Sequence, residues 1–411
     1  MKCSFGILRA LRVSAVKKRM QYRKFGRTDW NVSALGFGAM RLPTIDGHIE
    51  VNESADMLRY AIDHGVNYVD TAYPYHNGES EGFVGDVLKR GYRDKVKLAT
   101  KMPSWAIESA ADFDKYFDEQ RARLQTDVID CYLLHSLNRN WWPKLRDLGV
   151  LDWAERQIAA GRIRHLGFSF HDEHSAFQPI VDAYNWTFCQ IQYNYMDVEN
   201  QAGEQGLKYA AGKGLAVVIM EPLFGGKLAA LPPKIQGMFD AVNAKRTAVD
   251  WALQWVWNHP EVSVVLSGVS SLAQTQENVR CAGTAAVGSL TPSELALFAQ
   301  ARTQFQALRP IPCTACNYCM PCPNGVSIPR NFAIYNEGKM YDAHESARGN
   351  YAWLAQEVKL GISPVDSRAA SCVQCGICDA KCPQQIPISQ WMPVVHKVLG
   401  ENGAYQSTPT M

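Results

Sequence analysis

Long hydrophobic runs are missing from this sequence. No stretch of about 18 apolar residues occurs in its 411 positions, so it offers no candidate membrane span. Charge of one sign is not in surplus either. A formal net charge of +2 lacks the basic excess of a nucleic-acid binder, and 47% hydrophobic residues exclude the composition of a disordered chain. The glycine pattern G-x-G-x-x-G is absent as well. GFGAM (36–40) lacks the third glycine, which removes the main signature of the open dinucleotide-binding sheet. Cysteine is sparse over the first three hundred residues, and no secretory segment precedes them, so a disulfide framework is not expected. These absences point to a soluble, cytoplasmic globular protein without nucleic-acid or membrane partners. Its length suits one large domain and one small one.

The first nineteen residues hold six basic groups and no acid. They read as a basic extension, a transit segment, or an upstream start ahead of a chain that begins to fold at Met20. From Val32 onward, short apolar runs alternate with amphipathic stretches eight times. The runs are 32–40, 66–72, 96–101, 129–135, 163–169, 188–194, 215–222 and 262–268. Each lacks polar alternation, as strands buried on both faces do. Between them ESADMLRYAIDHG, DFDKYFDEQRARLQ, LDWAERQIAAG and TAVDWALQWVWNH carry apolar residues at helical spacing. Eight β/α units predict an α/β fold of the closed (β/α)8 TIM-barrel type. After Leu308 proline and cysteine become frequent, which predicts a domain of residues 20–308 followed by a smaller one over 309–411.

Barrel chemistry belongs at the carboxyl ends of the strands. There the runs deliver Asp70, with Tyr75 five residues on, then Lys101 and His135. Tyrosine is a poor acid at neutral pH. A neighbouring Lys101 cation would pull the Tyr75 pKa down, Asp70 would hold that lysine, and His135 would orient a carbonyl oxygen. Taken singly, each is more often a structural ion pair or a satisfied imidazole; together they can form a proton-donating centre. Trp141 and Trp142, after the fourth run, either wall the pocket mouth or pack against the tail.

Eight of the twelve cysteines fall in two blocks. Cys313, Cys316, Cys319 and Cys322-Pro323 form C-x2-C-x2-C-x2-C-P; Cys372, Cys375, Cys378 and Cys382-Pro383 form C-x2-C-x2-C-x3-C-P. Three thiolates at three-residue spacing wrap one face of a cubane, and the cysteine before proline turns to the other cluster. Two [4Fe–4S] clusters follow, one on Cys313, Cys316, Cys319 and Cys382, the other on Cys372, Cys375, Cys378 and Cys322. Zinc would need only two separated pairs and no Cys-Pro. The first block is one residue short in its last interval, and the polar stretch between the blocks is helical in pattern.

Residues 20–307, through VDTAYPY, LATK and DVIDCYLLH, resemble the aldo-keto reductase family, whose barrel uses an Asp, Tyr, Lys, His tetrad. The resemblance implies hydride transfer between NADPH or NADH and a small carbonyl or alcohol substrate. It places the nicotinamide carboxamide on Ser169 and Gln190, the ring on Met220, the diphosphate on Leu223, Gly225 and Lys227, and the adenine on Glu277 and Asn278. This sequence departs from the family at Phe170, where an asparagine is common, and at Gly268 and Gln274, where basic partners of a 2′-phosphate are usual. Residues 309–411 resemble helical two-cluster ferredoxin-like domains, and barrels with such a tail form a bacterial branch of the family. Since hydrides move two electrons and clusters one, the clusters would serve a flavoprotein or other redox partner, stabilise the tail, or sense oxygen. A chiefly electron-transferring module and a cofactor-gated binding subunit are the alternatives to an autonomous reductase.

Overall fold

The computed structural model describes residues 19–243, 245–313, 315–360 and 362–409; the basic segment through residue 18 lies outside them. Two compact units result. One contains the chain up to Pro222 with Leu253–Ser289, and the other Leu223–Ala252 with Leu290 onward.

In the first unit, each of the eight apolar runs contributes one strand to a closed, wholly parallel barrel. A hairpin that periodicity does not reveal comes first. Strands β1 (Tyr22–Lys24) and β2 (Asn31–Ser33) pair antiparallel, so the first run splits at Ala34 before barrel strand β3 (Leu35–Gly38). A second hairpin, β4 (Thr44–Ile45) and β5 (His48–Ile49), follows. The barrel continues with β6 (Tyr68–Asp70), β7 (Lys97–Met102), β8 (Ile129–Leu137), β9 (Ile163–Phe170), β10 (Phe188–Gln192), β11 (Ala216–Met220) and β12 (Val262–Gly268).

Phe25, carried between β1 and β2, is fully buried among Tyr68, Ala99, Cys131, Leu133, Phe188, Val218 and Val264, which the strands point inward. Burying one such ring contributes roughly 1.5–3 kcal/mol. Gly36 has the same cause: a Cβ there would lie 2.7 Å from Leu266 and 2.8 Å from Val264. The first glycine of GFGAM therefore serves barrel packing. Around the strands lie helices such as α1 (Val51–Asp63), which buries Ala55, Met57, Leu58, Ala61 and Ile62 and is capped by the Glu50 carboxylate. Helices α2 (Glu79–Val87) and α3 (Ala111–Leu124) are likewise amphipathic.

The second unit is helical. Helix α4 (Pro292–Ala307) starts in a capping box of Thr291 and Glu294, and α5 (Ile328–Met340), α6 (His344–Lys359) and α7 (Ile388–Gly400) share a core of Phe332, Tyr335, Tyr351, Leu354, Trp391, Val395 and Val398. The buried Asn331 amide crosslinks that core, donating to the Ser327 and Ser367 carbonyls and accepting the Ala369 N–H. The chain is thus a TIM barrel followed by a mainly helical region. Among the described residues no helix is long and apolar enough to cross a membrane.

Candidate functional site

Parallel strands in one barrel end on one rim, and this brings Asp70 of β6, Lys101 of β7 and His135 of β8 together. Tyr75 joins them from the turn Tyr75–Gly78, in which His76 and Asn77 adopt left-handed backbone angles of 50° and 54°. Two consecutive non-glycine residues there store strain immediately beside the phenol. All four side chains line one cavity with Ser169, Gln190 and Met220.

The Lys101 ammonium, 1% exposed, spends all three of its protons. It donates to Asp70 Oδ1 at 2.6 Å, to the Thr71 carbonyl at 2.8 Å and to the Tyr75 hydroxyl at 3.1 Å. Tyr75 accepts in that bond, so its own proton stays available to the cavity. The His135 ring meets the Tyr75 ring edge-on at 6.1 Å, and its Nδ1 is buried without a partner. A second polar layer holds the lysine strand. Gln120 donates to the Lys101 carbonyl at 3.0 Å and to the buried Glu81, whose carboxylate also accepts the Thr100 hydroxyl at 2.6 Å.

Burial raises the Tyr75 phenol above its ordinary value; the Lys101 charge opposes this, while Asp70 and Glu221 add to it. Proximity of the lysine alone would bring the pKa down, but the larger effect is the cost of placing a phenolate in a desolvated site. Burial also acts to lower Lys101, but the charges of Asp70 and Tyr75 and their hydrogen bonds outweigh it, and the net shift is upward. His135 is driven well below the usual imidazole range by burial, by the Lys101 cation and by His171, so it is neutral at neutral pH.

Ser169 Oγ accepts the Ser136 N–H at 2.8 Å, which leaves the hydroxyl proton free to donate. Gln190 turns its amide nitrogen toward the Met220 sulfur at 3.8 Å, and its Oε1 is buried without a partner. One donor and one orphaned acceptor in the same cavity fit a carboxamide. Phe170 packs at 5.0 Å on Phe177 and takes no place in that cavity. Trp142 packs on Trp186, and neither it nor Trp141 lines the cavity. Asn278 is buried and donates to Ser267 Oγ at 2.7 Å; Glu277 pairs with Arg280 at 3.4 Å. Leu223, Gly225 and Lys227 lie in the second unit, where Lys227 pairs with Glu337 at 2.6 Å.

The two cysteine blocks share one backbone design. Ala315 N–H donates to Cys313 Sγ and Gln374 N–H to Cys372 Sγ, both at 3.4 Å. Ala315 and Asn317 take positive φ, as do Gln374 and Gly376 in the other block. The N–H three residues past the last cysteine returns to that cysteine's carbonyl at 3.0 Å in both blocks, Gly325 to Cys322 and Gln385 to Cys382. The missing residue of the first block is absorbed before Cys322 without disturbing this match. Cys313, Cys316, Cys319 and Cys382 surround one cavity, the set that cross-ligation requires. In the other set, burial raises the Cys372 thiol, with Cys322 and Cys375 adding to the shift. Among the described residues, no three such side chains stand close enough to share one ion. A cubane needs no such closeness, because it spreads its thiolates over separate irons.

Comparison with known proteins agrees with both regions. Residues 34–298 match the Aldo/keto reductase family. The chain belongs to that family. Residues 312–386 match the 4Fe-4S dicluster domain, so in this aldo/keto reductase such a domain follows the barrel along the chain. A solved aldo-keto reductase, AKR11C1 from Bacillus halodurans in its holo form, is 27% identical and superposes with a TM-score of 0.58, covering 69% of this chain and 96% of that one. An uncharacterized oxidoreductase, YqkF, from Bacillus subtilis is 27% identical over 64% of this chain and 91% of its own length. A 6-dehydroglucose reductase from Novosphingobium aromaticivorans is 28% identical over 62% and 88%.

Among the further residues that line this cavity are Arg41, Trp105, His171 and Glu221. Each lies just past a barrel strand, so a strand-end search extended by a few positions would have found them. Trp105 packs at 5.1 Å on His135, and Arg41 reaches Glu221 at 3.2 Å, joining the ends of β3 and β11. The arginine stem runs over Gly268, where a Cβ would come within 3.2 Å of it.

Proposed function

We propose that this protein reduces an aldehyde or ketone with NAD(P)H, or oxidises the alcohol in reverse, with Tyr75 as the general acid. In this reading a domain of residues 20–308 carries the barrel chemistry, and residues 309–411 hold two [4Fe–4S] clusters on the two crossed sets of cysteines. A bound reduced nicotinamide would supply the hydride. Ser169 and the unpaired Gln190 Oε1 would hold its carboxamide, Met220 would serve its ring, and Lys227 with the Leu223–Gly225 turn would hold the diphosphate. Glu277 and Asn278 are the adenine contacts.

At the carbonyl oxygen, Tyr75 gives up its proton while neutral His135 donates a second hydrogen bond that orients the substrate. Lys101 then stabilises the phenolate that remains, and Asp70 keeps the lysine charged. The observation that carries this reading is the Lys101 bond to the Tyr75 oxygen at 3.1 Å inside a fully satisfied ammonium. Tyr75→Phe tests it: a panel of aldehydes, ketones and sugars is turned over by the native protein and not by the variant, while dinucleotide binding persists. Iron and sulfide analysis of anaerobically purified protein is expected to give about eight of each per chain.

A second reading, electron transfer between NAD(P)H and a flavoprotein or other redox partner, is favoured by one observation. Cys316 and Cys375 are exposed, and beside them stand Tyr318, Val373 and Ile377, apolar side chains 67%, 65% and 48% exposed. Anaerobic addition of NADPH without a carbonyl substrate separates the readings. Bleaching of the cluster absorbance supports electron transfer; unchanged absorbance with normal carbonyl turnover supports the autonomous reductase.

A further inference from the structure

Lys101 and Lys227 differ in what they leave free. Lys101 uses three protons on three acceptors, whereas the described residues give the Lys227 ammonium one hydrogen-bond acceptor, Glu337 Oε2 at 2.6 Å. Glu337 lies on α5, the helix that follows the first cysteine block. Lys227 is only 12% exposed along its side chain, and its ammonium lies 4.4 Å over the Phe224 ring and 5.8 Å from the Tyr341 ring. The two rings meet edge-on at 5.5 Å, and Tyr341 packs on Phe305 of α4 at 4.9 Å. Segment 223–252 accordingly belongs to the same compact unit as the cysteine loops and the helices between and after them.

The turn that carries Lys227 is tightly wound. Phe224, Gly225 and Gly226 take φ of 49°, 66° and 92° in succession, and the turn's own bonds already use the N–H groups of Gly226, Lys227, Leu228 and Ala229, so the Lys227 ammonium is a group that this turn can offer an anion. A carboxylate already paired to Lys227 opposes an arriving diphosphate, because like charges in a partly buried site repel with little screening.

We propose that Glu337 and the dinucleotide's diphosphate compete for Lys227, so that cofactor binding loosens α5 and the iron–sulfur region weakens cofactor binding in return. The proposal rests on the reading of Lys227 as a diphosphate contact. Glu337 is then a regulatory residue acting through Lys227, and the coupling is reciprocal by linkage.

The test uses the full chain, purified anaerobically with its iron, and measures NADPH and NADH binding by fluorescence titration. Lys227→Met is expected to bind the dinucleotide about tenfold or more weakly, as loss of a charge-assisted bond requires. Glu337→Gln, which keeps the shape and removes the charge, is expected to bind it about fivefold or more tightly, the lower range of allosteric coupling. Glu337→Asp, which restores the charge, returns toward the native affinity. The Glu337→Gln effect should fall on the dinucleotide KM and spare kcat. In the native protein, saturating dinucleotide should speed amide exchange across residues 328–340. Equal or weaker binding by Glu337→Gln, with Lys227→Met still impaired, would overturn the competition while leaving Lys227 as a diphosphate contact. Unchanged binding by Lys227→Met would overturn that assignment and the proposal together. Slower exchange over α5 on binding would mean that dinucleotide and carboxylate share the lysine cooperatively, which also refutes it.

Discussion

Lys101 on the barrel rim, fully buried, and Cys378 in the second cysteine loop, half-buried, are both ionisable groups withdrawn from water, but the protein treats them differently. It surrounds the lysine with a carboxylate, a carbonyl and a phenol within 3.1 Å. Burial and the neighbouring Asp379 instead push the Cys378 thiol up to about 12. Cys313, Cys319 and Cys372 are raised as well, burial leading in each case. At the rim the chain itself supplies the counter-charges that a buried cation needs, so the proton-transfer geometry exists before any ligand arrives. In the loops the chain supplies the backbone form, with matched N–H to sulfur bonds and matched left-handed residues. A metal bound there would replace the protons of these thiols. The barrel rim is organised by its own side chains, whereas the cysteine region, on the proposed reading, is completed by iron.

The largest effect expected from this contrast comes with iron removal. Anaerobic chelation should abolish amide-exchange protection across residues 312–400 while the barrel strands keep theirs; loss of protection in both regions at once would break the distinction. Next, Tyr75→Phe should lower kcat/KM for carbonyl reduction by about 10²–10⁴, the usual worth of a positioned acid, with iron content unchanged. Phe25→Ala, which empties the floor of the barrel, should cost about 3–5 kcal/mol in the barrel's unfolding transition and leave the cluster absorbance alone. The smallest effect is a pH response that stays level. The raised phenol of Tyr75 remains protonated through neutrality, and activity should fall only as pH climbs past the ordinary phenol value of about 10. Because His135 is depressed well below the ordinary imidazole value and titrates at lower pH, no step is expected near about 6.5. A midpoint there in the pH profile of kcat would show that the imidazole is solvated during turnover.

Much of this was legible without coordinates. All eight barrel strands coincide with apolar runs, because a strand covered on both faces has no polar positions to interrupt it. Asp70, Lys101 and His135 were found by asking which polar residues end those runs, a question parallel strands answer from order alone. The two cysteine blocks are legible because the spacing within each is local in sequence. What escaped was non-local. The hairpin around Phe25 has no periodicity over three-residue strands, and its reason to form is the barrel floor that it fills. Glu81 and Gln120 looked like ordinary helix residues until α2 and α3 placed them beneath Thr100 and Lys101.

The sequence by itself determined the eightfold alternation, the rim residues and the spacing of the two cysteine blocks, since each follows from periodicity or from side-chain chemistry within a few positions. Tertiary structure alone decided the direction of the Tyr75 pKa, the pairing of Arg41 with Glu221 at the cavity, and the pairing of Lys227 with Glu337. Those depend on desolvation and on contacts between residues as far as 180 positions apart, and both are properties of packing that no local pattern encodes.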